Sequence, residues 1–72
     1  MIFNERLREL RKERELSQEQ AARATSLTLR NYQRLEADGN TPNFANLVRI
    51  ADFFDVSMDY LAGRTDVREI GR

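Results

Sequence analysis

A chain of 72 residues without a single cysteine or histidine must be held together by packing, because it can form no disulfide and lacks the usual ligands of a structural zinc ion. A domain of this size buries only about 60% of the surface of its unfolded chain. The sequence therefore predicts one small domain that depends on close helix packing or on a partner. The same absences remove the common general base and the thiolate nucleophile, so an enzyme is not expected.

Charge is balanced overall but not along the chain. The twelve basic and twelve acidic side chains cancel, which argues weakly against a protein that binds polyanions by bulk charge. Residues 1–36 hold eight basic and six acidic side chains and carry +2, so the remainder carries −2.

No glycine-rich phosphate loop or metal-ligand cluster appears, so no cofactor, metal or small-molecule ligand is expected. Without an apolar run of about 18 residues or a signal-peptide pattern, a cytoplasmic protein without membrane association is expected.

Apolar side chains at spacings of three and four predict an all-α fold of five helices. Phe3, Leu7 and Leu10 give this pattern to the first helix. Each of the other four follows a side chain suited to cap it, namely Ser17, Thr28, Asn43 and Ser57. The predicted helices span about residues 4–14, 18–24, 28–37, 44–54 and 57–61. The side chains expected in the core are Leu7, Leu10, Leu35, Leu47, Ile50, Phe54 and Leu61.

The fourth predicted helix carries the widest apolar set, which comprises Phe44, Leu47, Val48, Ile50, Ala51 and Phe54. A set this wide predicts packing on more than one side, so this helix is expected to be the most buried. Gly63 suits the turn that ends the fifth helix. Residues 64–72 are charged and have no periodic apolar face, so we interpret them as a tail behind a domain of residues 1–63.

The second and third predicted helices form a pair joined by a short polar turn. The third has Tyr32 and Leu35 on one side and mostly polar side chains elsewhere. Such a pair can place a helix in the major groove of DNA, but helical hairpins also occur in proteins that never meet DNA. On pattern alone both interpretations stay open.

Short strings of residues at a fixed register, between about residues 3 and 63, carry a family resemblance. They are Leu16-Ser17-Gln18-Glu19-Gln20-Ala21-Ala22, Leu27-Thr28, Arg34-Leu35-Glu36, Pro42, Leu47, Ile50-Ala51, Phe54-Asp55-Val56-Ser57 and Tyr60-Leu61. Together they resemble the lambda-repressor-like, or Cro/C1-type (XRE), helix-turn-helix family. The resemblance implies a compact five-helix fold whose second and third helices form the DNA-reading helix-turn-helix.

The resemblance also implies a function. Family members of this type are phage repressors and bacterial regulators, so a sequence-specific transcriptional regulator is expected, as a repressor that binds a two-fold-symmetric operator in double-stranded DNA as a homodimer. A protein-interaction module of the same fold, such as an antitoxin-like or anti-repressor partner, is the alternative. A fragment of a longer repressor is compatible with the first interpretation.

DNA contacts are expected from the start of the second helix and the outer face of the third. The candidate residues are Gln18, Thr28, Leu29, Arg30, Asn31, Gln33 and Arg34. Gln18 is expected to hold a phosphate without reading sequence, and a solvated first-turn side chain is the alternative. Leu29 departs from relatives that often have a polar base-reading group at this position.

Further expectations concern an ion pair, a turn and a dimer contact. Relatives often join the first helix to the end of the third by an ion pair at the positions of Arg11 and Glu36, although pattern alone makes both surface charges. Ser26 replaces the usual glycine of the turn and is expected at positive φ. A dimer contact is expected from exposed apolar side chains near the start of the fifth helix, namely Phe53, Val56, Met58 and Tyr60.

Overall fold

Five helices make up the fold in the computed structural model, which describes residues 2–70. They are α1 (Ile2–Glu13), α2 (Gln18–Ala24), α3 (Leu29–Glu36), α4 (Phe44–Phe54) and α5 (Met58–Leu61). No strand occurs within that range. The predicted all-α fold of five helices is confirmed. None of the described helices is both long and apolar enough to cross a membrane.

Four side chains cap the helices that follow them, as predicted. Ser17, Thr28, Asn43 and Ser57 each accept a hydrogen bond from a backbone N–H in the first helical turn. At α2 the bond is reciprocal, because the Ser17 backbone N–H donates to Gln20 Oε1 at 2.8 Å. These bonds satisfy backbone donors that have no partner within the helix and so fix where each helix begins.

α1 begins earlier than residue 4, and Asn4 lies fully buried inside it. The Asn4 side-chain Nδ2 donates to the carbonyl oxygens of Leu35 and Ala37, both at 2.6 Å, and to that of Asn40 at 3.2 Å. The last carbonyls of a helix have no partner in their own helix. Asn4 therefore acts from α1 as a side-chain cap for the end of α3. The sequence predicted Asn4 only as the start of the first helix.

Five described residues adopt positive φ, namely Glu15, Ser26, Gly39, Asp55 and Gly63, and two of them were expected from the sequence. Ser26, between α2 and α3, has φ of 60°, as predicted from its replacement of a glycine. Gly63 follows α5 at φ of 80°, which agrees with the predicted helix end. A Cβ at Gly63 would also lie tightly against α1, 3.1 Å from Ile2 Cγ2, so that the Ile2 side chain would have to shift by a few tenths of an ångström. The turn at Gly63 therefore lies in close contact with the start of α1.

The core is shared by all five helices and the short loop before α5. α2 packs on α3, α1 packs on both α3 and α5, and α4 packs on α5. The buried apolar residues are Phe3, Leu7, Leu10, Ala21, Ala22, Tyr32, Leu35, Ile50, Ala51, Phe54, Val56, Tyr60 and Leu61. Leu47, which was expected in the core, is only partly buried at its edge.

α4 is not the most buried helix, and this corrects the sequence prediction. Its buried residues are Ile50, Ala51 and Phe54. Phe44 exposes 73% of its surface, and Val48 is only partly buried. The fold covers one side of α4, so apolar side chains on the remaining arc stay in contact with solvent. Periodicity shows how wide the apolar arc is, but not how much of it the fold covers.

Residues 64–70 form no helix or strand, yet they lie against the helical body. The Arg68 guanidinium makes two hydrogen bonds to the Glu13 carboxylate, at 2.6 and 2.8 Å. Arg6 donates to the carbonyl oxygen of Thr65 at 2.6 Å. The described part of the expected tail is therefore attached to α1 by side-chain contacts, and its last two residues, 71 and 72, lie outside the described range.

Two of the four side chains expected at a dimer contact are buried. Val56 exposes 4% of its surface and Tyr60 exposes 5%, because both fill the core beside α5. Phe53 is partly covered by Arg14, whose guanidinium carbon lies 5.0 Å from the centre of the ring. Met58 remains 39% exposed. The expectation of exposed apolar surface is thus wrong for Val56 and Tyr60, and the dimer contact itself stays a prediction.

Two phenylalanines of α4 allow a matched test of this packing. Phe54 is 3% exposed and Phe44 is 73% exposed. Because only Phe54 leaves a cavity when truncated, Phe54→Ala should lower the free energy of unfolding by about 3 to 5 kcal/mol, whereas Phe44→Ala should change it by less than about 0.5 kcal/mol. Urea unfolding followed by circular dichroism measures both. Similar losses for the two variants would contradict the described position of α4.

Candidate nucleic-acid interface

The exposed face of α3 gathers most of the predicted DNA-contacting side chains. Thr28 and the α3 residues Leu29, Arg30, Asn31, Gln33 and Arg34 are all exposed. Tyr32, Leu35 and Glu36 are buried on the opposite side, toward α1 and α2. α3 is therefore fixed along one face and offers two arginines and two amides to solvent along the other.

A buried ion pair lies behind this exposed face. Arg11 Nε donates to Glu36 Oε2 at 2.7 Å, and Arg11 Nη2 donates to Glu36 Oε1 at 3.1 Å. The exposed fractions of the two side chains are 14% and 4%. This bidentate pair joins α1 to the end of α3, at the two positions where the family resemblance implied it, and neither residue is a surface charge.

Gln18 links the ion pair to the exposed face. Its side-chain Nε2 donates to Glu36 Oε1 at 3.2 Å, and its Oε1 accepts a hydrogen bond from Gln33 Nε2, also at 3.2 Å. Gln18 is partly buried. It is therefore not the freely solvated first-turn side chain of the alternative interpretation. Its contact with phosphate stays a prediction.

The charges of the pair are maintained by its hydrogen bonds. Burial acts to raise the pKa of Glu36, but hydrogen bonds from partners such as Arg11 and Gln18 outweigh burial and hold this pKa below its ordinary value. The hydrogen bond with Glu36 raises the pKa of Arg11. Burial, followed by the influence of Glu36, raises the pKa of Tyr32. At neutral pH the pair is therefore ionised and the phenol is neutral.

Two side chains that hold α3 in place were not predicted from the sequence. Asn4 binds the carbonyl oxygens at its end, and Arg8 Nη1 donates to the carbonyl oxygen of Glu36 at 3.2 Å. Asn4 lies three residues before Leu7, on the apolar side of α1, and this position could have indicated a buried polar role. Arg8 has no such signal, because an arginine on a helix is ordinarily solvated.

The arrangement is suited to donating and accepting hydrogen bonds rather than to covalent chemistry. Within residues 2–70, no group of three or more acidic side chains lies where it could hold a metal ion. The exposed face instead combines guanidinium and amide groups, which pair with phosphate oxygens and with the edges of bases.

A family model for helix-turn-helix domains matches residues 7–61, from α1 to the end of α5. The chain belongs to the Cro/C1-type helix-turn-helix family. In this helix-turn-helix domain α2 and α3 are the paired helices, and the turn between them contains Ser26. Members of this family are transcriptional regulators.

Curated relatives agree with this assignment. The domain is 38% identical over 65 residues to the uncharacterized HTH-type transcriptional regulator YobD of Bacillus subtilis, which covers 90% of the chain and 58% of the relative. It is 38% identical over 64 residues to the cryptic phage CTXphi transcriptional repressor RstR of Vibrio cholerae, covering 89% and 57%. For the HTH-type transcriptional regulator ImmR of Bacillus subtilis, the identity is 30% over 67 residues, covering 93% and 53%.

The chain spans about half the length of the curated relatives it matches. No solved structure matches it.

Removing either partner of the buried ion pair should lower the free energy of unfolding strongly. Glu36→Ala and Arg11→Ala should each cost roughly 3 kcal/mol or more, because each leaves the opposite charge buried and uncompensated. Glu19→Ala is the control, since it breaks the exposed pair with Arg23 and should cost less than about 1 kcal/mol. Denaturant unfolding measures all three, and near-neutral results for both buried positions would rule out this role of the pair.

Acid should weaken the same interaction. The folded-state pKa of Glu36 is lowered, so its contribution to stability is present above the unfolded-chain pKa of about 4.3 and is lost as the pH falls through the folded pKa. Glu36→Gln lacks this ionisation. The difference in unfolding free energy between wild type and Glu36→Gln should therefore shrink as the pH is lowered below about 4.3. A difference that stays constant under acid would contradict the lowered pKa.

Proposed function

We propose that this helix-turn-helix domain binds double-stranded DNA sequence-specifically and is the DNA-binding domain of a transcriptional repressor. The observation that supports this most directly is the exposed face of α3, where Gln33 and Arg34 follow Arg30 by three and four residues. Residues at these spacings share a helix face. Placed in the major groove, this face would bring two guanidinium groups and one amide to the edges of bases.

The buried side of α3 supports the same proposal. A reading helix has to be held at a defined angle, because each base contact requires hydrogen-bond geometry within a few tenths of an ångström. Glu36 and Asn4 bind the end of α3 to α1. The exposed arginines therefore lie on a helix whose position is fixed by contacts on its buried side.

Phosphate contacts are proposed for Gln18. A glutamine amide has two N–H hydrogens, and Gln18 gives one of them to Glu36. The second remains to donate to a phosphate oxygen. Contacts of this kind place a protein on the duplex without reading its sequence.

The proposed assembly on DNA is a homodimer on a two-fold-symmetric operator. Successive major-groove sites on one face of the duplex lie about 34 Å apart, so two copies of α3 would have to be held at that spacing. Of the side chains expected at the contact, Phe53 and Met58 retain exposed apolar surface near the start of α5. The repressor named among the relatives, RstR, supports repression as the regulatory outcome.

Binding of α3 variants to selected DNA tests the reading role. Duplexes selected from a random pool should give a two-fold-symmetric consensus. At least one of Arg30→Ala, Gln33→Ala and Arg34→Ala should then lose about 1 to 3 kcal/mol of discrimination between consensus and scrambled duplexes. Arg64→Ala is the control, since Arg64 is a 79% exposed arginine beyond α5.

If all three α3 variants keep the ratio of wild type, α3 is not the reading element. A protein-interaction module of the same fold then becomes the better account. A consensus without two-fold symmetry would remove the dimer proposal while leaving sequence-specific binding in place.

A further inference from the structure

A continuous chain of hydrogen bonds connects the buried ion pair to the exposed face of α3. It runs from Arg11 to Glu36 at 2.7 Å, from Glu36 to Gln18 at 3.2 Å, and from Gln18 to Gln33 at 3.2 Å. Glu36 is almost fully buried, whereas Gln33 is exposed. These hydrogen bonds therefore link a buried side chain in the interior of the domain to an exposed side chain on the proposed DNA-reading surface.

The carboxylate of Glu36 determines the direction of every bond in this chain. An ionised carboxylate only accepts hydrogen bonds, so Gln18 must turn its amide nitrogen toward Glu36 and its amide oxygen toward Gln33. An amide oxygen also only accepts, so Gln33 must turn its nitrogen toward Gln18. Reversing the Gln18 amide would place its oxygen against the charged oxygens of Glu36.

The outward side of Gln33 is fixed as a result. One N–H of its amide is held by Gln18, which leaves its carbonyl oxygen and its second N–H for a ligand. No other hydrogen bond of the Gln33 side chain is found within residues 2–70. An acceptor next to a donor matches the major-groove edge of adenine, which presents the N6 amino group and N7. Guanine presents two acceptors there and does not match.

We propose that Glu36 is a positioning residue that fixes the orientation of Gln33 and makes it select adenine. This inference rests on the proposed reading of DNA by α3. Glu36 contacts no base itself and acts through Gln18. The lowered pKa of Glu36 is consistent with this role, because at neutral pH the carboxylate stays ionised and can only accept hydrogen bonds. Gln18 thereby gains a part in sequence discrimination, beyond the purely phosphate-holding role expected from the sequence.

The experiment begins with the consensus selected by the wild-type chain. Gln33→Ala identifies the base pair at which Gln33 contributes discrimination, and this pair should contain the adenine that Gln33 contacts. Replacing it with purine, which lacks the N6 amino group, should weaken binding of wild type about tenfold and binding of Gln33→Ala hardly at all. A preferred G·C pair at that position would overturn the inference, and so would an A·T pair at which loss of the N6 amino group leaves wild-type binding unchanged.

Glu36→Gln tests the positioning role. The new amide can donate as well as accept, so the direction of the chain is no longer fixed. The ratio of affinities for adenine over guanine at that base pair should fall about tenfold, while ratios at other base pairs stay unchanged. Glu13→Gln is the matched control: it makes the same carboxylate-to-amide change on α1, at the Arg68 pair, and should leave every ratio unchanged.

Gln18→Ala provides a second route that leaves the Arg11 and Glu36 pair intact, in case Glu36→Gln does not fold at the assay temperature. Any loss of a phosphate contact in Gln18→Ala weakens all sequences alike and cancels in the ratio. The adenine-to-guanine ratio should nevertheless fall. An affinity ratio that is unchanged in every folded variant of the two would overturn the inference.

The outcomes also separate this inference from the proposed function. If Gln33→Ala changes no ratio but Arg30→Ala or Arg34→Ala does, the inference fails while DNA reading by α3 stands. If the wild-type chain selects no consensus at all, the proposed function fails and the inference fails with it.

Discussion

The bidentate contact between Arg11 and Glu36 is the interaction on which the arrangement of this domain depends. The same guanidinium donates to the carbonyl oxygen of Leu16 at 3.0 Å, and the same carboxylate accepts from Gln18. α1, the loop before α2, α2 itself and α3 thus meet at one buried charge pair. Such a pair adds little net stability compared with apolar packing, because both ions must be desolvated. We infer that its main contribution is geometric: it admits one relative placement of these helices.

The local structure of the chain followed from short-range chemistry. The Ser17 cap and its reciprocal bond with Gln20 fixed the start of α2, and the glycine-like role of Ser26 placed a left-handed residue in the turn. These features involve neighbours within three residues, so sequence alone contains them. The burial of Tyr60 and the exposure of Phe44 depend instead on which helix covers which arc. That information arises only when the helices cross, and periodicity does not contain it.

The candidate site divides in the same way. The polar face of α3 could be predicted from the spacing of its residues, and the Arg11 and Glu36 pair from the family resemblance. The bond between Gln18 and Gln33 could not, because these residues are 15 positions apart and meet only through the crossing of α2 and α3. A single glutamine in a sequence gives no sign of which way its amide will point. That direction depends on the partners assembled around it.

The residues after α5 contact α1 near its beginning and again at its end. Ile2 packs against Gly63, and Arg6 binds the carbonyl oxygen of Thr65. Further along the same segment, Arg68 binds Glu13, the last residue of α1. A chain cut after Gly63 would keep all five helices but would lose the contacts that Arg6 and Glu13 make with this segment. The residues that the sequence pattern assigns to a tail therefore support, from outside the core, the same helix that carries Arg11.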